Sequence, residues 1–177
     1  IVLGRDGRLS GKSLMNALED SLLSNGISVE NIGIVTSPLL YYAAKKHSSK
    51  SGIMITGSHN PKEYNGIKMV INDEPVSGIE IFELIGTSNN ANSKGNLSIN
   101  DDVIDNYIEE VKSKSIQSSH EMKVVIDCGN GAAGVIAPKL FKALGFDVVE
   151  IYSEVDGNFP NHHPDPGNPK NLKDLSD

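Results

Sequence analysis

The 177-residue chain has one cysteine, no tryptophan and only 5% aromatic residues. Its single thiol, Cys128, has no partner for an internal disulfide, which points to a reducing compartment, and the cytoplasm is the expected location. Long apolar runs are missing as well. Stretches such as Gly52–Ile55 and Val124–Ile126 fall far short of the roughly 20 residues that cross a bilayer, and no basic-then-apolar leader opens the sequence, so no membrane partner is expected. Positive charge is scarce: 16 Lys and Arg stand against 23 Asp and Glu, for a net charge of -7. The basic residues are also scattered, which argues against a nucleic-acid partner. With 38% hydrophobic and 22% charged residues, and no Gly-X-Y or heptad period, the chain is neither a disordered tail nor a fibre. A globular protein acting on a small molecule remains.

What is present is an alternation of strand and helix. Ile1–Leu3 reads as a buried strand, followed by a glycine-rich connection around Arg5, Asp6 and Arg8. A helix with Leu14, Leu18 and Leu22 on one stripe then ends at Asn25-Gly26. Ile27–Val35 predicts a strand, Pro38 opens a second helix, and Ser51–Thr56 is a third buried strand. Gly66–Ile71 adds a strand that stops at the turn Asn72-Asp73. This order predicts an α/β fold: a mixed, mostly parallel sheet with helices on both faces, followed by the start of a second α/β domain. Residues 86–100 read as a polar loop or linker, and a helix is expected from Asp101 to Lys114. A second unit follows: strand Met122–Asp127, glycine turn, helix Ala132–Leu144 and strand Phe146–Tyr152. Residues 1–98 are assigned to the first domain and 99–177 to a linker helix and part of the second. Ile1–Leu3 starts inside an apolar run, and a helix over Pro169–Asp177, capped by Asn168, stops after two turns. Both ends thus read as cut, and the chain as a piece of a longer protein.

Three segments carry candidate chemistry. Thr56-Gly57-Ser58-His59-Asn60-Pro61, continued by Asn65-Gly66-Ile67-Lys68, follows a buried strand, where parallel sheets hold their ligands. Ser58 offers a nucleophilic or group-carrying hydroxyl, His59 a proton carrier and Lys68 a positive charge, a set suited to a phosphoryl group. An Asn/Pro turn with incidental polar residues is the plainer alternative. A serine-hydrolase elbow is excluded because Asn60 replaces its second glycine. Gly129-Asn130-Gly131-Ala132-Ala133-Gly134 fits Gly-x-Gly-x-x-Gly with Glu150 beyond it, the pattern of a dinucleotide-binding oxidoreductase domain. Asp127 before the turn argues against a pyrophosphate there, and close strand-to-helix packing is the better account of the glycines. Asn161-His162-His163-Pro164-Asp165-Pro166 invites a metal, although an exposed interdomain loop accounts for it better. Cys128 reads as a buried filler. Arg5 and Arg8 either reach an anion or pair with local carboxylates such as Asp6. A non-catalytic interaction module is the remaining alternative.

Four segments, in order, resemble the α-D-phosphohexomutase family, in its bacterial phosphomannomutase/phosphoglucomutase branch. They are Gly4-Arg5-Asp6-Gly7-Arg8-Leu9-Ser10-Gly11, the Thr56–Lys68 loop, Asp127–Gly134 and Glu154–Pro166. The resemblance implies an isomerase that interconverts hexose 1-phosphate and hexose 6-phosphate, mannose or glucose, through a bisphosphorylated sugar. It implies that Ser58 is the phosphorylated serine, with His59 and Lys68 at the reacting phosphoryl group. It also implies Mg²⁺ held partly by the phosphoryl oxygen on Ser58, activation by a hexose 1,6-bisphosphate, a phosphosugar substrate and a monomeric parent. The family's Asp-Gly-Asp-Gly-Asp-Arg metal loop, its first strand and its later sugar- and phosphate-binding loops are absent from these 177 residues, so the isolated piece is expected to be inactive. In the family context, the glycines 129–134 belong to the fold of the second domain.

Overall fold

Residues 1–83, 93–115 and 122–177 are described by a computed structural model of the chain. Side chains on β1 (Val2–Arg5) and β3 (Gly52–Ile55) alternate between two apolar layers, and this alternation places the helices. Leu3, Ile53 and Ile55 pack with Met15 and Leu23 of α1 (Gly11–Ser24). Val2 and Met54 face the other way, against Leu39, Leu40 and Ala43 of α2 (Ser37–Lys46). A strand buried on both faces reads as an unbroken apolar run, as Ile53-Met54-Ile55 does.

β1 is parallel to β2 (Val29–Ile34) on one side and to β3 on the other, while β4 (Ile67–Ile71) pairs antiparallel with β3, and β5 (Glu74–Val76) antiparallel with β4. β6 (Leu97–Ile99) adds parallel to β2, giving the order β5-β4-β3-β1-β2-β6. The mostly parallel sheet covered on both faces is therefore as expected. α3 (Gly78–Glu83) and α4 (Val103–Lys114) complete this part, with Val103 and Ile108 of α4 extending the α2 layer. α4 is also tied to α2 by Glu110, which accepts from Tyr42 and pairs with Lys46 and Lys114; these donors hold its carboxyl down at about 2. β7 (Lys123–Asp127) and β8 (Asp147–Ile151) form a separate two-stranded parallel sheet, with α5 (Ala137–Ala143) between them in sequence.

Several local expectations change. Leu14 is exposed and Met15 is buried, so the apolar stripe of α1 is centred one residue further on. Of the loop expected over 86–100, residues 86–92 lie outside the described ones, and Leu97–Ile99 is strand because its backbone completes the edge of β2. The Asn72-Asp73 turn does more than stop β4. Both residues have positive φ, 51° and 69°, and they close a tight hairpin into β5. The helix expected over Ala132–Leu144 is split into a 3-10 turn, Ala132–Val135, and α5. Pro138 is the cause: it has no N–H to give, its ring would strike the carbonyl four residues back, and it is tolerated only in the first turn of a new helix. Asn168 caps the last helical segment as expected, accepting from the Lys170 N–H. That segment opens with a 3-10 turn, Pro169–Leu172, before α6 (Lys173–Ser176).

Candidate active site

The carboxyl ends of β1, β3 and β7 open on one cavity of about 530 Å³. Asp6 and Gly7 enter from β1, Thr56, Ser58 and His59 from β3, Asp127–Gly129 from β7, and His162 and Asp165 from the loop after β8. Lys68 also lines this cavity; it is on β4 opposite Met54, one step from the end of β3. The three residues singled out for phosphoryl chemistry, Ser58, His59 and Lys68, thus share one cleft.

The Ser58 loop is held by a hydrogen-bonded frame. Asp6 Oδ2 accepts from Thr56 Oγ1 at 2.8 Å and from the Gly57 N–H at 3.2 Å. Thr56 Oγ1 in turn accepts the Ser58 N–H at 2.9 Å, so the hydroxyl relays the carboxylate to the serine backbone. Ser58 itself has φ +52°, a left-handed conformation uncommon outside glycine and characteristic of functional sites where the surroundings enforce it. Its side chain is exposed to the cleft, as are those of His59 and Lys68. Among the described residues Lys68 makes no ion pair, whereas His59 Nδ1 lies 3.8 Å from Asp165 Oδ1. A hydroxyl on a fixed backbone, beside an imidazole and an ammonium, can carry an anionic group and have its charge compensated.

Arg8 is not an anion ligand. It is 1% exposed, and its guanidinium donates to Asp6 and to backbone carbonyls of the Ser58 loop. Arg5 donates to the Asp6 carbonyl at 2.9 Å. Residue patterns alone missed the framing roles of Thr56 and Arg8. The only local hint was a glycine beside the serine, since nothing in a linear pattern says which arginine reaches it.

The His162-His163 segment is also resolved. His162 Nε2 lies 3.0 and 3.1 Å from the two oxygens of Asp127, and its Nδ1 lies 3.0 Å from the His163 carbonyl. Both nitrogens face acceptors, an arrangement that favours the doubly protonated ring. Burial opposes that charge, but the His163 carbonyl and the Asp127 carboxylate outweigh it and raise the His162 pKa. Because the raised value belongs to the folded state, the pair contributes fully below the ordinary histidine value of about 6.5 and is lost as pH climbs through the folded value. The stability difference between the parent and a His162→Gln variant is expected to shrink between pH 6 and pH 9 in urea titrations; a constant difference would mean that the charged pair does not form.

Among the described residues no group of three His, Cys, Asp or Glu side chains is placed to hold a metal ion. Asp6 and Asp127 spend their oxygens on donors of their own chain, so this donor set does not by itself fit Mg²⁺. A dinucleotide fits no better. The N–H groups of Gly129, Asn130, Gly131 and Gly134 are donated to Asp127, Tyr152, Cys128 and Gly131, leaving none of them for a pyrophosphate, and Glu150 is paired with Lys142. Cys128 is buried, and burial together with the Asp127 charge pushes its thiol up to about 11, as suits a filler rather than a nucleophile. No helix among the described residues is long and apolar enough to cross a membrane.

Comparison with known proteins places two family models on the chain. The first, phosphoglucomutase/phosphomannomutase alpha/beta/alpha domain I, matches residues 1–94, and the second, domain II of the same family, matches residues 105–177. A phosphomannomutase/phosphoglucomutase of Pseudomonas syringae is 49% identical over 99% of this chain and 38% of its own length. A phosphoglucomutase of Neisseria gonorrhoeae is 46% identical, with 39% of its length covered. The crystal structure of a phosphoglucomutase/phosphomannomutase family protein from Burkholderia thailandensis superposes with a TM-score of 0.89 at 42% identity, over 98% of this chain and 40% of that one. The chain thus spans about 38–40% of the length of the relatives it matches.

Proposed function

The chain belongs to the phosphoglucomutase/phosphomannomutase family, and from that premise we propose that the protein carrying it interconverts hexose 1-phosphate and hexose 6-phosphate, with glucose or mannose as the sugar. Ser58 is the phosphoryl carrier. A phosphoryl group leaves Ser58 Oγ for the free hydroxyl of a bound sugar monophosphate, making a bisphosphate; the hydroxyl loses its proton and Ser58 Oγ regains one. The bisphosphate then returns the phosphoryl group from its other position to Ser58. A hexose 1,6-bisphosphate is both the intermediate and the reagent that first loads the serine.

The observation that supports this reading is the meeting of Ser58, His59 and Lys68 in one cavity, with the serine backbone held from behind. Lys68 compensates charge on the phosphoryl oxygens, and His59 supplies an imidazole for the proton. Phosphoryl transfer asks little else of a protein than positioning and charge compensation. Once phosphorylated, Ser58 would offer one oxygen to Mg²⁺, which would add charge compensation when bound.

The test is a coupled assay of the full-length protein with glucose 1-phosphate and mannose 1-phosphate, joined to intact-mass analysis after incubation with glucose 1,6-bisphosphate. Formation of the 6-phosphate, and one added phosphoryl group that maps to Ser58, are expected. A protein that turns over neither sugar and never gains the phosphoryl group would remove the proposal.

A further inference from the structure

Resting on the reading of Ser58 as phosphoryl carrier, we propose that Arg8 is the positioning residue that holds the Ser58 loop in its transfer conformation, and that Phe159 of the second α/β unit keeps Arg8 in place. Guanidinium has five N–H donors, and all five are matched here. Nε donates to Asp6 Oδ2 at 3.1 Å. Nη1 donates to the carbonyls of Pro61 and Tyr64 at 2.6 and 3.0 Å. Nη2 donates to those of Ser58 and Asn60 at 2.8 and 2.7 Å.

These contacts fix Ser58 from both sides. Its N–H is taken by Thr56 Oγ1 and its carbonyl by Arg8, so both flanking peptide planes are set and the residue is kept at φ +52°. A left-handed serine with one of these anchors missing would relax toward the ordinary regions of backbone space, carrying its Oγ with it. Because every N–H of Arg8 is used, the side chain acts on the reaction only through the loop.

Arg8 is itself clamped. A Cβ at Gly57 would lie 2.4 Å from its Cζ, so the guanidinium rests directly on the glycine backbone. The ring centroid of Phe159 also lies 5.4 Å from Cζ, within cation–π range. The chain around Phe159 is pressed close too: a Cβ on Gly157 would meet the Gly7 carbonyl at 2.6 Å and the Leu9 nitrogen at 2.7 Å. Beside the approach of Asp165 to His59 at 3.8 Å, the second unit therefore reaches the serine loop through Phe159 on Arg8, and displacement of Phe159 is felt at Ser58.

Lysine keeps the charge but has three donors on a point-like head, so Arg8→Lys separates electrostatics from the fork. The full-length protein and its Arg8→Lys and Phe159→Leu variants are loaded with glucose 1,6-bisphosphate, and phosphorylation of Ser58 is followed by intact mass. For Arg8→Lys the loading rate and kcat are expected to fall together by about 10- to 100-fold, the scale of a misplaced reacting atom, with KM for glucose 1-phosphate changed by less than about 3-fold. The end point of loading remains complete. A purely structural role would instead lower the end point, through an unfolded fraction, and leave the rate of the remainder unchanged; that result overturns the proposal. If Arg8→Lys does not fold, Phe159→Leu decides: with Arg8 intact, its loading rate is expected to fall by about 3- to 10-fold, and an unchanged rate overturns the proposal. Failure of the parent protein to load would count against Ser58 as carrier, whereas normal loading of both variants counts against Arg8 alone.

Discussion

Replacing Ser58 with alanine in the full-length protein is expected to lower turnover of glucose 1-phosphate by at least about 10³-fold, the scale on which covalent catalysts lose activity without their nucleophile. The side chain is exposed to the cleft and, among the described residues, donates to no buried partner, so its removal leaves the frame of Asp6, Thr56 and Arg8 intact. The melting temperature is therefore expected to stay within a few degrees of the parent, as for surface substitutions clear of buried networks. KM carries little information once the carrier is gone, whereas intact mass does: no phosphoryl group should appear at position 58. Turnover within about 10-fold of the parent in Ser58→Ala would assign the transfer to another group.

The second large effect is expected at Gly57, where alanine should cost at least about 3 kcal/mol of stability and most of the activity together. The added methyl would lie 2.4 Å from both Cζ and Nε of Arg8 and 2.7 Å from the Tyr64 carbonyl oxygen. Nothing there can yield cheaply, because the guanidinium is bound at all five donors and the Tyr64 carbonyl is one of its acceptors. Overpacking costs about 1–3 kcal/mol, and each buried carbonyl left without its donor costs about as much again. Space makes this glycine necessary, since its backbone does not require the left-handed region that Ser58 occupies. Urea unfolding of the Gly57→Ala variant checks the stability term, and the coupled assay the activity. A variant as stable as the parent would show that the loop has slack and that Arg8 does not rest on it.

The sequence by itself determined the order of strand and helix and the placement of the serine loop after a buried strand. Those are local matters: Ile53-Met54-Ile55 announces a strand covered on both faces, Asn25-Gly26 a helix stop, and Pro38 a helix start. The company of Ser58 with His59 and Lys68 was legible for the same reason, since one hairpin carries all three. Where the outcome depended on a distant segment, periodicity was silent. Leu97–Ile99 resembles a loop until the edge of β2 supplies its partner, and a two-histidine segment resembles a metal site until Asp127, 35 residues earlier, takes the ring of His162. Only the tertiary structure decided the part played by Arg8. Its carbonyl partners lie 50–56 residues away, and they meet it because parallel strands bring their carboxyl ends, and the loops beyond them, to one edge of the sheet.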